Sequence, residues 1–134
     1  MKKSDREIIY YTNQIVNTSN TIYQVFTAYH NRGILYFKKR CYKKAIDDFT
    51  SALERSSTLG CWSHSISTRA HNSIKAKEFF LRGIAYIKIN NLDKGIDDFN
   101  KALDLDSEVI KKNKFELSIL PLEISGLIRS FFDI

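Results

Sequence analysis

The chain has 134 residues, with 21 Lys and Arg against 15 Asp and Glu, and carries a formal net charge of +6. A chain of this length forms one domain, which leaves no room for a cofactor domain beside a large substrate cavity. Its 43% hydrophobic and 27% charged residues are typical of a folded globular protein, and no apolar run is long enough for a membrane span. Five Gly and one Pro are too few turn residues for a barrel or sandwich of many strands, so we expect helices.

Residues 1–25 are predicted to form an N-terminal helical cap. Ser4 and Glu7 have the spacing of a capping box, and apolar residues follow them at helical intervals. Residues 18–20, Thr-Ser-Asn, are expected to end this helix. An amphipathic run beginning at Ile22 then leads into the central part of the chain.

Cysteine and histidine usage bears on the cellular compartment and on metal binding. Cys41 and Cys61 make no disulfide framework, and the acidic residues near the N-terminus do not suit a secretory signal. We therefore expect a cytoplasmic protein, with the nucleus as the alternative. Cys61, His64 and His71 have the first spacing of a zinc site, but a structural zinc ion takes four ligands. We expect no metal.

The central part of the chain contains a repeat with an offset of 50 residues. Residues 32–53, RGILYFKKRCYKKAIDDFTSAL, align without a gap with residues 82–103, RGIAYIKINNLDKGIDDFNKAL. Each copy has apolar residues at helical spacing on either side of a polar break. Gly33 and Gly83 allow a neighbouring helix to approach closely. Each unit is therefore predicted to be a hairpin of two helices.

This repeat resembles the tetratricopeptide repeat, in which an aromatic-x2-Leu-Gly-x2-Tyr pattern precedes Ala-x3-Phe. The residues that carry the resemblance are Tyr29, Arg32, Gly33, Tyr36, Ala45 and Phe49 in the first unit and Phe79, Arg82, Gly83, Tyr86, Gly95 and Phe99 in the second. Arg replaces the usual Leu before each Gly. The resemblance implies an all-α fold, a short α-solenoid of two hairpins (26–59 and 76–109), and a non-catalytic protein-binding function.

The segments between and after the hairpins are longer than the repeat requires. The Ser-rich insertion, residues 56–73, is predicted to be a loop or to extend the flanking helices. Residues 110–134 are predicted to be a C-terminal helical cap. Residues 109–120 are predicted to form one helix, which carries a basic patch at 111–114.

The resemblance also implies that the first helices of the repeats line a concave groove for a peptide or helix of a partner. At 100° per residue, one helix face lies beside the packing face and is free to line this groove. The predicted groove residues are Thr27, His30, Ile34, Phe37 and Lys38 in the first unit and Lys77, Phe80, Ile84, Ile87 and Lys88 in the second. Such a groove is apolar with a basic rim and suits an acidic, amphipathic partner. The alternative is that a flanking helix fills it.

The remaining charged residues suggest two other functions. Asp47-Asp48 and Asp97-Asp98 recur at one position of both units, which favours a solvated helix face over a catalytic pair. Because no phosphate loop, nucleophile elbow or Cys/His signature is present, we expect neither an enzyme nor a cofactor. The basic cluster at 38–44 leaves nucleic-acid binding as an alternative.

The C-terminal residues resemble the start of an F-box. The residues that carry this resemblance, and the adaptor contacts it implies, are Leu120, Pro121, Glu123, Ile124 and Ile128. In that family the helix docks on a Skp-type adaptor of a cullin ubiquitin ligase, which implies a substrate-adaptor function. The other interpretation is an amphipathic capping helix that packs Ile124, Leu127, Ile128, Phe131 and Phe132 on the solenoid.

Overall fold

The computed structural model describes residues 1–57 and 68–131, and the secondary structure of these ranges is helical. The helices are α1 (Lys3–Val16), α2 (Ile22–Lys38), α3 (Tyr42–Ser57), α4 (Thr68–Lys88), α5 (Leu92–Leu105), α6 (Val109–Lys112), α7 (Lys114–Leu117) and α8 (Leu122–Phe131). Helices α2 and α3 form the first hairpin, and α4 and α5 form the second. The predicted all-α solenoid is confirmed. None of the helices in the described ranges is long and apolar enough to cross a membrane.

The two hairpins turn in the same way. Arg40 and Asn90 have φ angles of 63° and 66°, in the left-handed region. The backbone N–H groups of Cys41 and Asn91 then donate hydrogen bonds to the carbonyls of Tyr36 and Tyr86, at 2.9 and 2.8 Å. This is the 6→1 bond of a Schellman motif, which satisfies carbonyls at the end of each first helix. The polar break of each repeat is therefore a helix stop.

Glycine at the helix crossings explains how closely the hairpins pack. A Cβ atom on Gly33 would lie 2.8 Å from Cε1 of Phe49, and one on Gly83 would lie 3.0 Å from the carbonyl oxygen of Gly95. A Cβ atom on Gly95 would in turn lie 2.6 Å from Cγ1 of Ile87. In the second hairpin, glycine thus replaces the family's alanine because two backbones meet at this point.

Helix α1 occupies the position that the second helix of a preceding repeat would take. The Arg82 guanidinium on α4 donates a hydrogen bond to Oγ1 of Thr50 on α3, at 3.1 Å. Arg32 on α2 donates in the same way to Oγ1 of Thr12 on α1, at 3.2 Å. The N-terminal helix therefore packs on the first hairpin as the first hairpin packs on the second.

The capping box predicted for the N-terminal helix is wrong. Helix α1 begins at Lys3, so Ser4 lies inside the helix and caps nothing. The capping box opens α2 instead, where the backbone N–H of Gln24 donates to Oγ1 of Thr21 and the N–H of Thr21 donates to Oε1 of Gln24. Thr-x-x-Gln has the same spacing as Ser-x-x-Glu, so the sequence carried this signal.

The insertion lengthens both flanking helices, since α3 runs to Ser57 and α4 begins at Thr68. The single helix predicted for residues 109–120 is wrong, because α6 and α7 are separated at Asn113. The buried side-chain amide of Asn113 donates a hydrogen bond to the carbonyl of Val109 at 2.7 Å. Beyond this break, Leu117 joins the buried cluster that contains the core residues of α4.

Candidate functional site

A cavity of about 910 Å³ lies where α2, α4 and α7 meet. We call it the groove. Its apolar lining residues are Ile34, Phe37, Tyr42, Leu81, Phe115 and Ile119, and its charged ones are Lys38, Arg40, Lys77, Lys88 and Glu116. Five of the ten predicted groove residues are among them, and the structure brings these five together from both repeats.

The other five predicted groove residues lie elsewhere. Phe80 and Ile84 are 0% exposed and Ile87 is 6% exposed, so they form the core beneath the groove. These side chains pack inside the solenoid, where the ring centroids of Phe80 and Phe99 on α5 are 5.5 Å apart and Ile87 packs against Gly95 on the same helix. Thr27 and His30, nearer the start of α2, do not line the cavity. The groove is therefore lined by the later part of α2 together with Lys77, Leu81 and Lys88 of α4.

The charged side chains of the groove are predominantly basic and unneutralised. Within the described ranges, Lys38, Arg40, Lys77 and Lys88 take part in no ion pair. Lys112, by contrast, pairs with Asp106. Four cations around one concave surface produce a positive potential that favours anionic groups.

The C-terminal segment that carries α7, and so one side of the groove, is held against the second hairpin. The Asp106 carboxylate accepts hydrogen bonds from Nζ of Lys112 at 2.8 Å and from Oγ of Ser73 at 3.0 Å. The bond from Lys112 is the main reason that the pKa of Asp106 is lowered. Because Ser73 lies on α4 and Lys112 on α6, these bonds tie the C-terminal segment to the first helix of the hairpin.

The acidic pairs of the two repeats are split between the surface and the core. Asp47 and Asp97 are exposed, but Asp48 and Asp98 are 3% and 2% exposed. The predicted solvated face is therefore wrong for the second acid of each pair. Each buried carboxylate is bonded to the arginine that replaces leucine in the repeat pattern, so these acids are structural.

The comparisons with known proteins agree with this architecture. A family model of the tetratricopeptide repeat matches residues 26–59, and a second matches residues 75–109. The chain belongs to the tetratricopeptide repeat family. Comparison with curated proteins and with solved structures gave no match. Repeats of this family are in general non-catalytic scaffolds for protein–protein interaction.

A histidine–glutamate pair joins the first helices of the two tetratricopeptide hairpins. Nδ1 of His30 on α2 is hydrogen-bonded to Oε1 of Glu78 on α4, and Glu78 is fully buried. Burial, and secondarily the charge of Lys77, lower the pKa of His30 to about 4, so the imidazole is neutral at pH 7. Sequence reasoning missed Glu78. Apolar spacing offered no signal for it, because at 100° per residue Glu78 lies on the opposite side of α4 from Ala76 and Phe80.

The residues considered for a zinc site and those of the F-box resemblance differ in where the described part of the tetratricopeptide protein places them. Cys61 and His64 lie outside the described residues, and within the described ranges no three His, Cys, Asp or Glu side chains could hold a metal ion. Of the F-box residues, Leu120 and Ile128 are buried in the protein's own core and Ile124 packs against it. Pro121 is exposed, and the side chain of Glu123 lies outside the description.

Proposed function

We propose that this tetratricopeptide protein is a non-catalytic interaction module whose groove binds a peptide or helix of a partner protein. Its family supports a protein-binding function. The groove supplies a concave apolar surface at the α2 face that the hairpin packing leaves uncovered. Amphipathic segments of partner proteins bind surfaces of this kind by laying apolar side chains into the groove.

One observation carries the proposal, namely four cations around an apolar floor that form no ion pair with any described side chain. The half-buried Ile34 supplies apolar contact surface on α2, next to the buried Phe37 and with Lys38 at the groove edge. Lys77 and Lys88 approach the same cavity from α4. An occupant that buries apolar side chains here also places its polar flanks next to these cations. The partner segment is therefore acidic as well as apolar.

The size of the groove fits a short helical segment. Two turns of helix, about 10 Å wide and 11 Å long, occupy roughly 850 Å³. The cavity holds about 910 Å³. A groove of this size, open to solvent on one side, accommodates a short helical or extended segment of a partner protein.

The test is selection from a displayed library of random peptides. Wild-type protein is expected to enrich peptides that combine Asp or Glu with Leu, Ile or Phe. Lys77→Glu/Lys88→Glu is expected to lose these peptides, because it reverses two charges of the groove wall. The matched control is Lys2→Glu/Arg6→Glu, which reverses two exposed charges of the N-terminal segment outside the groove. Enriched peptides without acidic residues, or equal binding by both double variants, would contradict the proposal.

The F-box function remains an alternative proposal. Docking through Leu120 and Ile128 requires the C-terminal segment to leave the core, because both side chains are buried. Retention of the protein by a Skp-type adaptor, and its loss in Pro121→Ala, would support this alternative. A pull-down that retains nothing would remove it.

Nucleic-acid binding is the second alternative. Single strands bind to basic surfaces with exposed aromatic rings, on which the bases stack. Tyr42 is half-buried in a T-shaped contact with Phe37, at a centroid distance of 5.7 Å, so the 82% exposed Phe115 is the groove ring on which a base could stack. Salt-dependent binding of a labelled oligonucleotide that Lys77→Glu/Lys88→Glu abolishes would favour this alternative over the peptide groove.

A further inference from the structure

The C-terminal segment supplies a second wall to the groove. Phe115, Glu116 and Ile119 line the cavity on the side that faces α2. Phe115 is 82% exposed although it lies at a concave surface. An aromatic side chain in this position covers little of its own protein and is free to cover an occupant.

Buried residues of the same C-terminal segment hold this wall in place. Leu117 and Leu120 are 0% and 3% exposed and belong to the main buried cluster. The buried Asn113 amide fixes the break before α7 through its bond to Val109. The neighbours of Phe115 are thus anchored, so Phe115 is presented on a fixed support.

The two walls differ in charge. All four cations of the groove lie on α2, α4 or the turn after α2, while Glu116 on α7 is the one acidic residue among the lining residues. In the described ranges Glu116 takes part in no ion pair. An occupant between these walls meets cations on one side, and a carboxylate with a phenyl ring on the other.

We propose that α7 adds selectivity to the groove, because Phe115 and Glu116 contact the side of the occupant that lies away from the cations. Phe115 covers an apolar side chain of the partner segment, and Glu116 repels carboxylates from that side. The occupant is an amphipathic segment of a partner protein that lays its apolar side chains on the groove floor and carries all its acidic residues on the flank beside the cations of α2 and α4, away from Glu116. This inference rests on the proposed groove-binding function and adds a selectivity that Lys or Arg residues alone would not provide.

Two synthetic peptides with identical composition test this selectivity. Both are fluorescein-labelled and contain only Leu, Glu and Gln. The amphipathic peptide has Leu at i, i+3, i+4 and i+7 with every Glu on one flank of this apolar face. The scrambled peptide distributes Glu over all faces. Fluorescence anisotropy measures the affinity of wild type and variants for each peptide.

Wild type is expected to prefer the amphipathic peptide. Phe115→Ala is expected to weaken its binding on the order of tenfold, while Phe115→Leu retains most of it. Glu116→Gln is expected to reduce the preference over the scrambled peptide about threefold, since a half-buried carboxylate at a solvent-facing surface has a modest effect. The control Val16→Ala shortens an exposed apolar side chain outside the groove and should change nothing.

The outcomes separate the two proposals. If Lys77→Glu/Lys88→Glu weakens binding of the amphipathic peptide but Phe115→Ala does not, groove binding stands and the selectivity of α7 is refuted. If wild type binds neither peptide at low salt, both proposals fail. Because Phe115 is 82% exposed, Phe115→Ala should leave the melting temperature unchanged, and a fall would show a structural role instead.

Discussion

The guanidinium group of Arg82 donates hydrogen bonds from Nε and Nη2 to the two carboxylate oxygens of Asp98, each at 2.8 Å. Arg32 and Asp48 form the same bidentate pair in the first hairpin, at 2.8 and 2.7 Å. Each arginine also bonds to a threonine of the preceding helix. The ion pair and the threonine bond together link three successive helices, and the same arrangement occurs in both hairpins.

The Arg82–Asp98 pair is predicted to be sensitive to removal of one partner. Asp98→Ala leaves a largely buried guanidinium without its counter-charge, which costs about 3–5 kcal/mol of unfolding free energy. Asp97→Ala is the control, because the neighbouring carboxylate is exposed, and its effect should stay within about 0.5 kcal/mol. Urea unfolding of the two variants measures the difference. Equal losses would mean that the ion pair does not anchor the hairpin.

Restoring the apolar residue of the family at the same site gives a second check on this account. Arg82→Leu combined with Asp98→Ala removes both charges, so no buried charge is left unpaired. We expect the double variant to be more stable than Asp98→Ala alone. If the double variant unfolds at the same urea concentration as Asp98→Ala, the unpaired guanidinium is not the cause of the loss.

The backbone contact between Gly83 and Gly95 predicts opposite effects for two glycine substitutions. Gly83→Ala forces a Cβ atom to within 3.0 Å of the Gly95 carbonyl oxygen, and overpacking of this kind costs about 1–3 kcal/mol. At Gly126, within α8, a Cβ atom meets nothing within 4 Å. Gly126→Ala should therefore stabilise the protein by about 0.5–1 kcal/mol through helix propensity. Thermal unfolding distinguishes the two, and a stable Gly83→Ala protein would contradict the close approach.

The His30–Glu78 pair predicts a loss of stability in mild acid. Because the pKa of His30 is about 4 in the folded protein and 6.5 is its ordinary value, protonation favours the unfolded chain between these pH values. The contribution is complete above pH 6.5 and declines by roughly 2–4 kcal/mol as the pH falls to about 4. His30→Gln keeps a neutral hydrogen-bonding group next to Glu78 and should flatten this part of the stability curve. Parallel curves for wild type and variant would disprove the assignment.

The hairpins and their turns followed from the sequence because their determinants are local and repeated. The 50-residue offset aligned the residues of both hairpins, and the spacing of apolar residues specified which faces pack. The polar breaks marked the helix ends, although the left-handed backbone of Arg40 and Asn90 lacks the glycine that usually signals it. Five groove residues followed from the same helical geometry.

The features that sequence reasoning missed depend on contacts between distant segments. The repeat pattern predicts Asp48 and Asp98 as solvated, because their arginine partners are 16 residues away on another helix. The pattern also predicts Ile84 on the groove surface, whereas Ile84 is fully buried in the main core cluster, because a repeat does not show how much of a helix its neighbours cover. Phe115 is absent from the predicted groove, because the path of the C-terminal segment is not encoded in the repeat. A periodic pattern shows which face of a helix is apolar, but not which segment covers it.

A charge exchange between groove and peptide tests the central claim, that the unpaired cations of the groove bind an acidic partner segment. Lys77→Glu/Lys88→Glu should bind the amphipathic peptide at least tenfold more weakly than wild type, by anisotropy at low salt. A peptide with Lys in place of every Glu should bind this variant and not wild type. Recovery of affinity in the exchanged combination is the predicted result. If the exchanged peptide fails to bind the variant, or if the variant still binds the original peptide, the groove is not the binding site.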